Sequence, residues 1–352
     1  MARVGRMLWA VPCARLCYSA PHRLFHASAS RNMAGGYNLD LSGKVAFVAG
    51  VSDSTGYGWA VAKQLANAGA TIIVGAWPPM MNILERGLRK GFGERSKLLN
   101  GGNLHFSKIY PLDAMFSTPA EIPEVIKSNK RYALLTDYDI QSCAAAVERD
   151  YGKIDILVHA LANGPEVARP LLDTSRAGYL AASSASAYSM VSMVDHFGRI
   201  MEPGGSCLSI SFVAAQRVVP GYGGGMSSAK AQLESDTKVL AWEAGRKYGI
   251  RVNTISAGPL ASRAASAINT SDTGDKFIDA YIEYCRVNAP LTRSMQSDDV
   301  GRAALALSSE LSAAVTGTCQ FVDNGMHVMS VPIDSKSLEK YFDSNNSTKP
   351  DV

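Results

Sequence analysis

Between residues 44 and 325 the chain alternates short, continuously apolar runs with longer stretches whose apolar positions recur every three to four residues. Lys44–Ala49 (KVAFVA) is β-branched and aromatic; a glycine-rich turn follows, and a helical pattern runs from about Tyr57 to Asn67. Thr71–Ala76 (TIIVGA), Leu104–Tyr110, Ile154–His159 (IDILVH), Ser206–Phe212 (SCLSISF), Ile250–Ser256 (IRVNTIS) and Thr318–Val322 (TCQFV) read as the remaining strands. Runs that are apolar at every position, rather than at alternate ones, belong to strands covered on both faces. With helices between them they predict an α/β fold: a single-domain, Rossmann-like, doubly wound parallel sheet with right-handed crossovers and helices on both faces.

Two segments interrupt the rhythm. Residues 111–137 contain Pro111, Pro119 and Pro123 and many charges, and read as a long loop, a feature that is usually functional or flexible. Thr136 with Asp139 predicts a capping box for a helix running to about Tyr151. Residues 258–290 follow the Ile250–Ser256 strand and so lie on the carboxyl edge of the sheet, where ligands bind in this architecture. We read them as a substrate-covering element, although an ordinary surface helix pair would occupy the same position.

Composition adds a boundary. Of the 352 residues 47% are hydrophobic, ample for a large core. The net charge of +4 is misleading, because Arg3, Arg6, Arg15, Arg23 and Arg31 lie in an acid-free stretch and leave 30 basic against 31 acidic residues in the body. A nearly neutral body gives no reason to expect nucleic acid or an anionic membrane as partner. Residues 1–36, rich in Arg, Ala and Ser, fit an organelle-targeting leader. A secretory signal built on Met7 to Ala14 is the rival reading, weakened by Arg15, and a bipartite leader is the third. The expected division is therefore leader 1–36, one folded domain 37–332 and polar tail 333–352. Cys143, Cys207, Cys285 and Cys319 show no CxxC spacing, so free thiols are expected and no metal site.

After the first strand, Gly50-Val-Ser-Asp-Ser-Thr-Gly56-Tyr57-Gly58 opens a helix. Glycines let the backbone turn tightly, and the helix amino terminus offers free N–H groups to a pyrophosphate. The spacing is not GxGxxG, which points to a short-chain dehydrogenase/reductase variant. The second strand ends at Trp77 with neither the acid typical of NAD sites nor an Arg, so an indole stacked on adenosine mildly favours NADH. Asp113 and Ala114 follow the third strand, where they could meet adenine. His159-Ala-Leu161-Ala162-Asn163-Gly164 closes the fourth strand beside the nicotinamide half, with His159 read as a core histidine rather than an acid or base.

Tyr222-Gly-Gly-Gly-Met226-Ser-Ser-Ala-Lys230 stands just beyond the Ser206–Phe212 strand. A phenol of pKa about 10 is a sluggish acid, and a neighbouring ammonium is expected to lower that value. The same lysine could hydrogen-bond the nicotinamide ribose.

The stretches GYGWAVAK, IDILVHALANGPEV, GYGGGMSSAKAQLESDTKVLAWEAGRKYGIRVNTISAGPL and FVDNG together resemble the plastid-type enoyl-acyl carrier protein reductases of type II fatty acid synthesis. The resemblance runs from about Asn38 to Val331. It implies NADH as cofactor, an enoyl thioester on acyl carrier protein as substrate, a homotetramer, and a plastid or apicoplast location, with the mitochondrion as alternative. It assigns Tyr222 and Lys230 as the catalytic pair. Gly50, Gly56, Tyr57, Trp77, Asp113, Ala114, Leu161, Ala162, Lys230, Gly258, Pro259 and Leu260 fall on the cofactor side, and Gly164, Tyr222 and Met226 on the acyl side. One position departs: Phe212 stands where family members usually carry a second tyrosine, which implies a changed rate or inhibitor response. Two other readings stay open. One is a short-chain reductase of carbonyls or alcohols, using a serine near Ser209–Ser211; the other is a non-catalytic dinucleotide-binding protein.

Overall fold

The computed structural model describes residues 39–262, 265 and 276–337. The predicted leader 1–36, part of the 258–290 segment and the end of the tail lie outside the described residues. In chain order the elements are β1 (Val45–Ala49), α1 (Tyr57–Asn67), β2 (Thr71–Ala76), α2 (Pro78–Lys90), β3 (Lys108–Pro111), α3 (Glu124–Lys127), α4 (Ile140–Tyr151) and β4 (Ile154–His159). They continue with α5 (Arg176–Ser183), α6 (Ser189–Gly198), β5 (Met201–Phe212), α7 (Met226–Tyr248), β6 (Arg251–Ala257), α8 (Phe277–Asn288), α9 (Ser297–Ser308) and β7 (Cys319–Val322).

The strands form one parallel sheet in the order β3-β2-β1-β4-β5-β6-β7. Alternate residues feed opposite cores, as a pleated strand requires. Phe47, Ile73, Leu157, Cys207 and Val252 pack on one face with α4, α6 and α7 residues such as Val147, Phe197 and Leu233. Ala46, Val48, Ile72, Ile156, Leu208 and Ile255 pack on the other with Trp59, Leu65, Val300 and Ala304 of α1 and α9. Both faces are thus buried, which is why the strand sequences are continuously apolar. The strand order reverses between β1 and β4, and the carboxyl ends on either side of that point frame a ligand crevice.

Three expectations need correction. The third strand is shorter than Leu104–Tyr110: pairing with β2 begins at Ile73 and Lys108. Leu104 and Phe106 are apolar because they pack beside α1, Phe106 meeting Trp59 edge-on at 5.5 Å. The capping box is displaced, since Asp139 is itself the N-cap of α4 and its Oδ1 accepts from the Ser142 N–H at 2.9 Å. Asp137 turns the chain with φ 58° just before it. The 111–137 segment is folded rather than a bare loop. It contains α3, and its Ile122 and Tyr132 form a small apolar cluster with the adjoining Tyr138, with Phe116, Ile126 and Leu135 against it. The first residues of the tail are tied down by Ile333 N–H donating to Asn288 Oδ1 at 2.6 Å.

Candidate active site

The turn after β1 passes directly beneath the exit of β4. Gly50 has φ 96°, and a Cβ there would lie 2.2 Å from the Ala160 carbonyl oxygen and 3.1 Å from Leu161 Cδ2. Only glycine allows this approach, which places Ala160 and Leu161 beside the turn, with Ala162 next along the chain. Gly56 is the N-cap of α1, in extended conformation and with no side-chain cap. A Cβ on it would meet nothing within 4 Å, and the first turn of α1 carries no acidic residue. Unpaired amides at the positive end of a helix, next to open space, are a fit for a pyrophosphate. Tyr57 is committed elsewhere: its buried hydroxyl donates to the Gly258 carbonyl at 2.5 Å, and burial pushes the phenol well above its usual range. The bond ties the glycine turn to Gly258, Pro259 and Leu260 at the end of β6.

Trp77 follows β2 as the N-cap of α2, with 46% of its surface exposed. Its indole Nε1 donates to Asp113 Oδ2 at 3.2 Å and to the Tyr132 hydroxyl at 3.1 Å. Tyr132 donates to the same Asp113 oxygen at 2.6 Å, while Oδ1 accepts from Met115 N–H at 3.1 Å. Asp113, expected beside adenine, is thus also the buttress that fixes the indole plane. Ala114, next to it, packs on the core under β1. Tyr132 escaped the sequence reading; its only signal was the end of the 111–137 segment. The residues around Trp77 fit an adenosine whose ribose carries no phosphate, since a carboxylate and a phenol, both without positive charge, hold the wall.

The centre lies where β5 outruns β4. The last β4–β5 pair is His159 with Ser209, whereas β5 continues beside β6 to Phe212 opposite Ala257. Lys230, on the first turns of α7 and 5% exposed, donates through Nζ to the Ile210 carbonyl at 2.8 Å. Burial pulls its pKa down to about 8, and the Glu234 carboxylate opposes that fall. Two residues on, Phe212 meets Tyr222 edge-on with ring centroids 5.1 Å apart and Tyr281 of α8 at 5.9 Å. The strand end therefore gathers Tyr222, Lys230 and α8, which lies within the 258–290 segment. Burial alone drives the half-buried Tyr222 phenol well above its usual range. The expected lowering by the lysine is not found, because Lys230 is directed to Ile210; at neutral pH the phenol is a hydrogen-bond donor that keeps its proton.

The three glycines between Tyr222 and Met226 have a steric cause. Gly223 and Gly224 donate to the Val167 and Arg169 carbonyls at 3.0 and 2.9 Å. A Cβ on Gly223 would sit 1.9 Å from the Arg169 oxygen, and one on Gly224 would sit 2.2 Å from that of Glu166. Gly225, with φ 79°, is the left-handed N-cap of α7. The 166–169 backbone lies against this spacer and brings Gly164 to Met226, whose Sδ would be 2.5 Å from a Cβ on Gly164. Ser186, in a π-helical turn between α5 and α6, pins Asn163 by accepting from its N–H at 3.0 Å and donating to its carbonyl at 3.1 Å. His159 is buried, with Nε2 2.7 Å from Ser189 Oγ. Ser189 donates to Ala185 O at 2.8 Å, so the imidazole is the donor of that pair. Burial holds its pKa near 3, which bears out the core reading.

A doubly wound sheet in this order, with a tyrosine and a lysine delivered to the end of its fifth strand, defines a short-chain dehydrogenase/reductase fold. Comparison with known proteins narrows the class. A family model described as Enoyl-(Acyl carrier protein) reductase matches residues 134–327. Enoyl-acyl-carrier-protein reductase (NADH) 1, chloroplastic, of Oryza sativa subsp. japonica is 52% identical over 350 residues, covering 96% of this chain and 92% of that protein. The chloroplastic enoyl-acyl-carrier-protein reductase (NADH) of Arabidopsis thaliana is 53% identical over 327 residues, covering 93% and 82%. The crystal structure of Plasmodium berghei enoyl-acyl-carrier-protein reductase with triclosan superposes with a TM-score of 0.79 at 50% identity, covering 83% of this chain and 100% of that one. The chain belongs to the enoyl-acyl carrier protein reductase family.

Proposed function

We propose that the protein reduces trans-2-enoyl thioesters, delivered on acyl carrier protein, with NADH, and that Tyr222 and Lys230 are its catalytic pair. The observation that carries the reading is the protonated Tyr222 phenol held against Phe212 at the strand end that Lys230 also reaches. Gly50, Gly56 and Tyr57 frame the pyrophosphate turn, and Trp77, Asp113 and Ala114 the adenosine. Leu161, Ala162, Lys230, Gly258, Pro259 and Leu260 border the nicotinamide half, with Gly164 and Met226 on the acyl side. NADH, when bound, would supply a hydride to the β-carbon of the enoyl group, and the resulting enolate would take up a proton at its α-carbon to complete the reduction. In between, negative charge develops on the thioester oxygen, where Tyr222 donates a hydrogen bond and Lys230 adds a positive field, an oxyanion-hole arrangement. Lys230 has donors left after the Ile210 bond, and these would hold the ribose hydroxyls. Phe212 supplies an apolar wall without a hydroxyl. Exclusion of water there strengthens every donor that faces the oxygen.

We further infer an acyl carrier protein partner and a homotetramer. Val239 and Trp242 support assembly: they are 54% and 64% exposed on α7, one turn apart, as apolar surface that a second copy would cover. Residues 1–36 serve as a plastid or apicoplast leader, ahead of the domain at 37–332. Assay of crotonyl and longer trans-2-enoyl thioesters with NADH tests the reading. Turnover confined to enoyl substrates supports it, and NADH binding without turnover of any of them overturns it.

A further inference from the structure

Glu234 is a buried carboxylate that the proposed reaction does not use. It lies one helical turn beyond Lys230 on α7, so both side chains leave the same helix face. Oε1 accepts from Ser211 Oγ at 2.7 Å and Oε2 from Gln216 Nε2 at 2.7 Å. The Cys319 thiol at the start of β7 also lies against it. Ser211 directly follows Ile210, whose carbonyl binds Lys230, and directly precedes Phe212, which packs on Tyr222. Neighbouring residues of β5 are therefore gripped by neighbouring turns of α7, one grip cationic and the other anionic. Gln216 adds the turn that leads on toward Tyr222. A largely buried carboxylate held by neutral donors is costly unless its charge is used by a cation nearby.

We propose that Glu234 is a positioning residue that acts through Lys230: its carboxylate, fixed one helical turn away on the same face of α7, keeps charged the lysine that the Ile210 carbonyl holds at the β5 end. The groups that face Lys230 are Glu234 on its own helix and His159 from β4, which is neutral, so Glu234 supplies the sole opposing charge among those found to act on it. Facing Glu234 are Ser211 and Gln216 from the β5 side, Cys319 from β7 and Lys230 itself; Lys238, one turn further along α7, acts on the Cys319 end. Without the carboxylate, burial alone acts on Lys230, and its ammonium is lost at lower pH.

This inference rests on the reductase reading for its purpose but not for its test. Titration of Lys230 in the full-length protein, followed by nuclear magnetic resonance of carbon-13-labelled lysine Cε with Lys230→Arg to assign the signal, gives the proton affinity directly. Glu234→Gln is expected to lower the Lys230 midpoint by about one pH unit or more. The alkaline decline in NADH affinity, measured by calorimetry, should move down with it. Ser211→Ala and Gln216→Leu remove the neutral donors and keep the charge; both should leave the midpoint at or above its wild-type position. Gln216 is exposed, so its variant is expected to keep the fold and gives a comparison separate from Glu234→Gln. An unmoved midpoint in Glu234→Gln overturns the proposal, as does a downward move in Gln216→Leu, which would make the carboxylate a structural clamp only. If the wild type reduces no enoyl thioester, the functional reading fails while the Lys230 titration still decides the role of Glu234.

Discussion

Phe212 and Tyr222 meet edge-on with ring centroids 5.1 Å apart, and Tyr281 also meets the phenylalanine edge-on at 5.9 Å. The ring fixes the direction of the only tyrosine that the proposed mechanism uses. Tyr222→Phe should keep NADH affinity within about twofold and lower turnover by about 10²–10³-fold, the usual loss for one donor at a developing oxyanion. Steady-state kinetics with NADH titrations check both halves. Retained turnover would remove Tyr222 from the mechanism.

Lys230 gives activity and stability opposite pH dependences. Its pKa is pulled by burial from 10.5 to about 8, so the unfolded chain binds more protons than the folded one between those values. The stability contribution of this group therefore rises as pH climbs through that window. The ammonium proposed to hold the ribose is lost over the same range, so kcat/KM for NADH should fall above about pH 8. Denaturation midpoints and kinetics measured on one pH series check the divergence, and a parallel fall of both would exclude Lys230 as the cause.

Gly224 has φ 60° and no room for a Cβ, which would lie 2.2 Å from the Glu166 carbonyl oxygen. Gly224→Ala forces a left-handed conformation on an L side chain and opens the contact with the 166–169 backbone. The strain alone costs about 1–3 kcal/mol. For a domain of this size it should lower the melting midpoint by several degrees. Turnover should fall as well, because Tyr222 and Met226 flank the spacer. Calorimetry and kinetics on the same variant test both effects.

Tyr132 holds Trp77 without touching the reaction. Tyr132→Phe leaves the indole with Asp113 as its hydrogen-bond partner and removes the 2.6 Å bond to that carboxylate. Losing one hydrogen bond of about 1 kcal/mol should raise the KM for NADH by roughly fivefold with kcat unchanged. The indole emission should also change. A kcat effect without a KM effect would contradict this placement of the 111–137 segment.

Much of the fold was legible because each buried strand writes itself as an apolar run, and the structure keeps Thr71–Ala76 and Ile154–His159 with those bounds. Leu104 and Phe106 misled because apolar residues packed beside a helix look the same as strand residues. The Gly50 turn and the Tyr222–Lys230 spacing were visible because a steric need leaves only glycine or a fixed count. What stayed hidden depends on distant partners. Nothing local marks Glu234 as the acceptor of Ser211 and Gln216, or Tyr132 as the support of an indole 55 residues earlier. The Tyr222 proton affinity was misjudged for the same reason: sequence spacing brings a lysine near, but the Ile210 carbonyl decides where its ammonium points.

The most direct test is a four-way rate comparison with the purified protein: a trans-2-enoyl thioester and a 3-ketoacyl thioester, each with NADH and with NADPH. The account predicts rapid oxidation of NADH with the enoyl substrate, little with NADPH, and none with the ketoacyl substrate. Turnover of the ketoacyl thioester alone would contradict it.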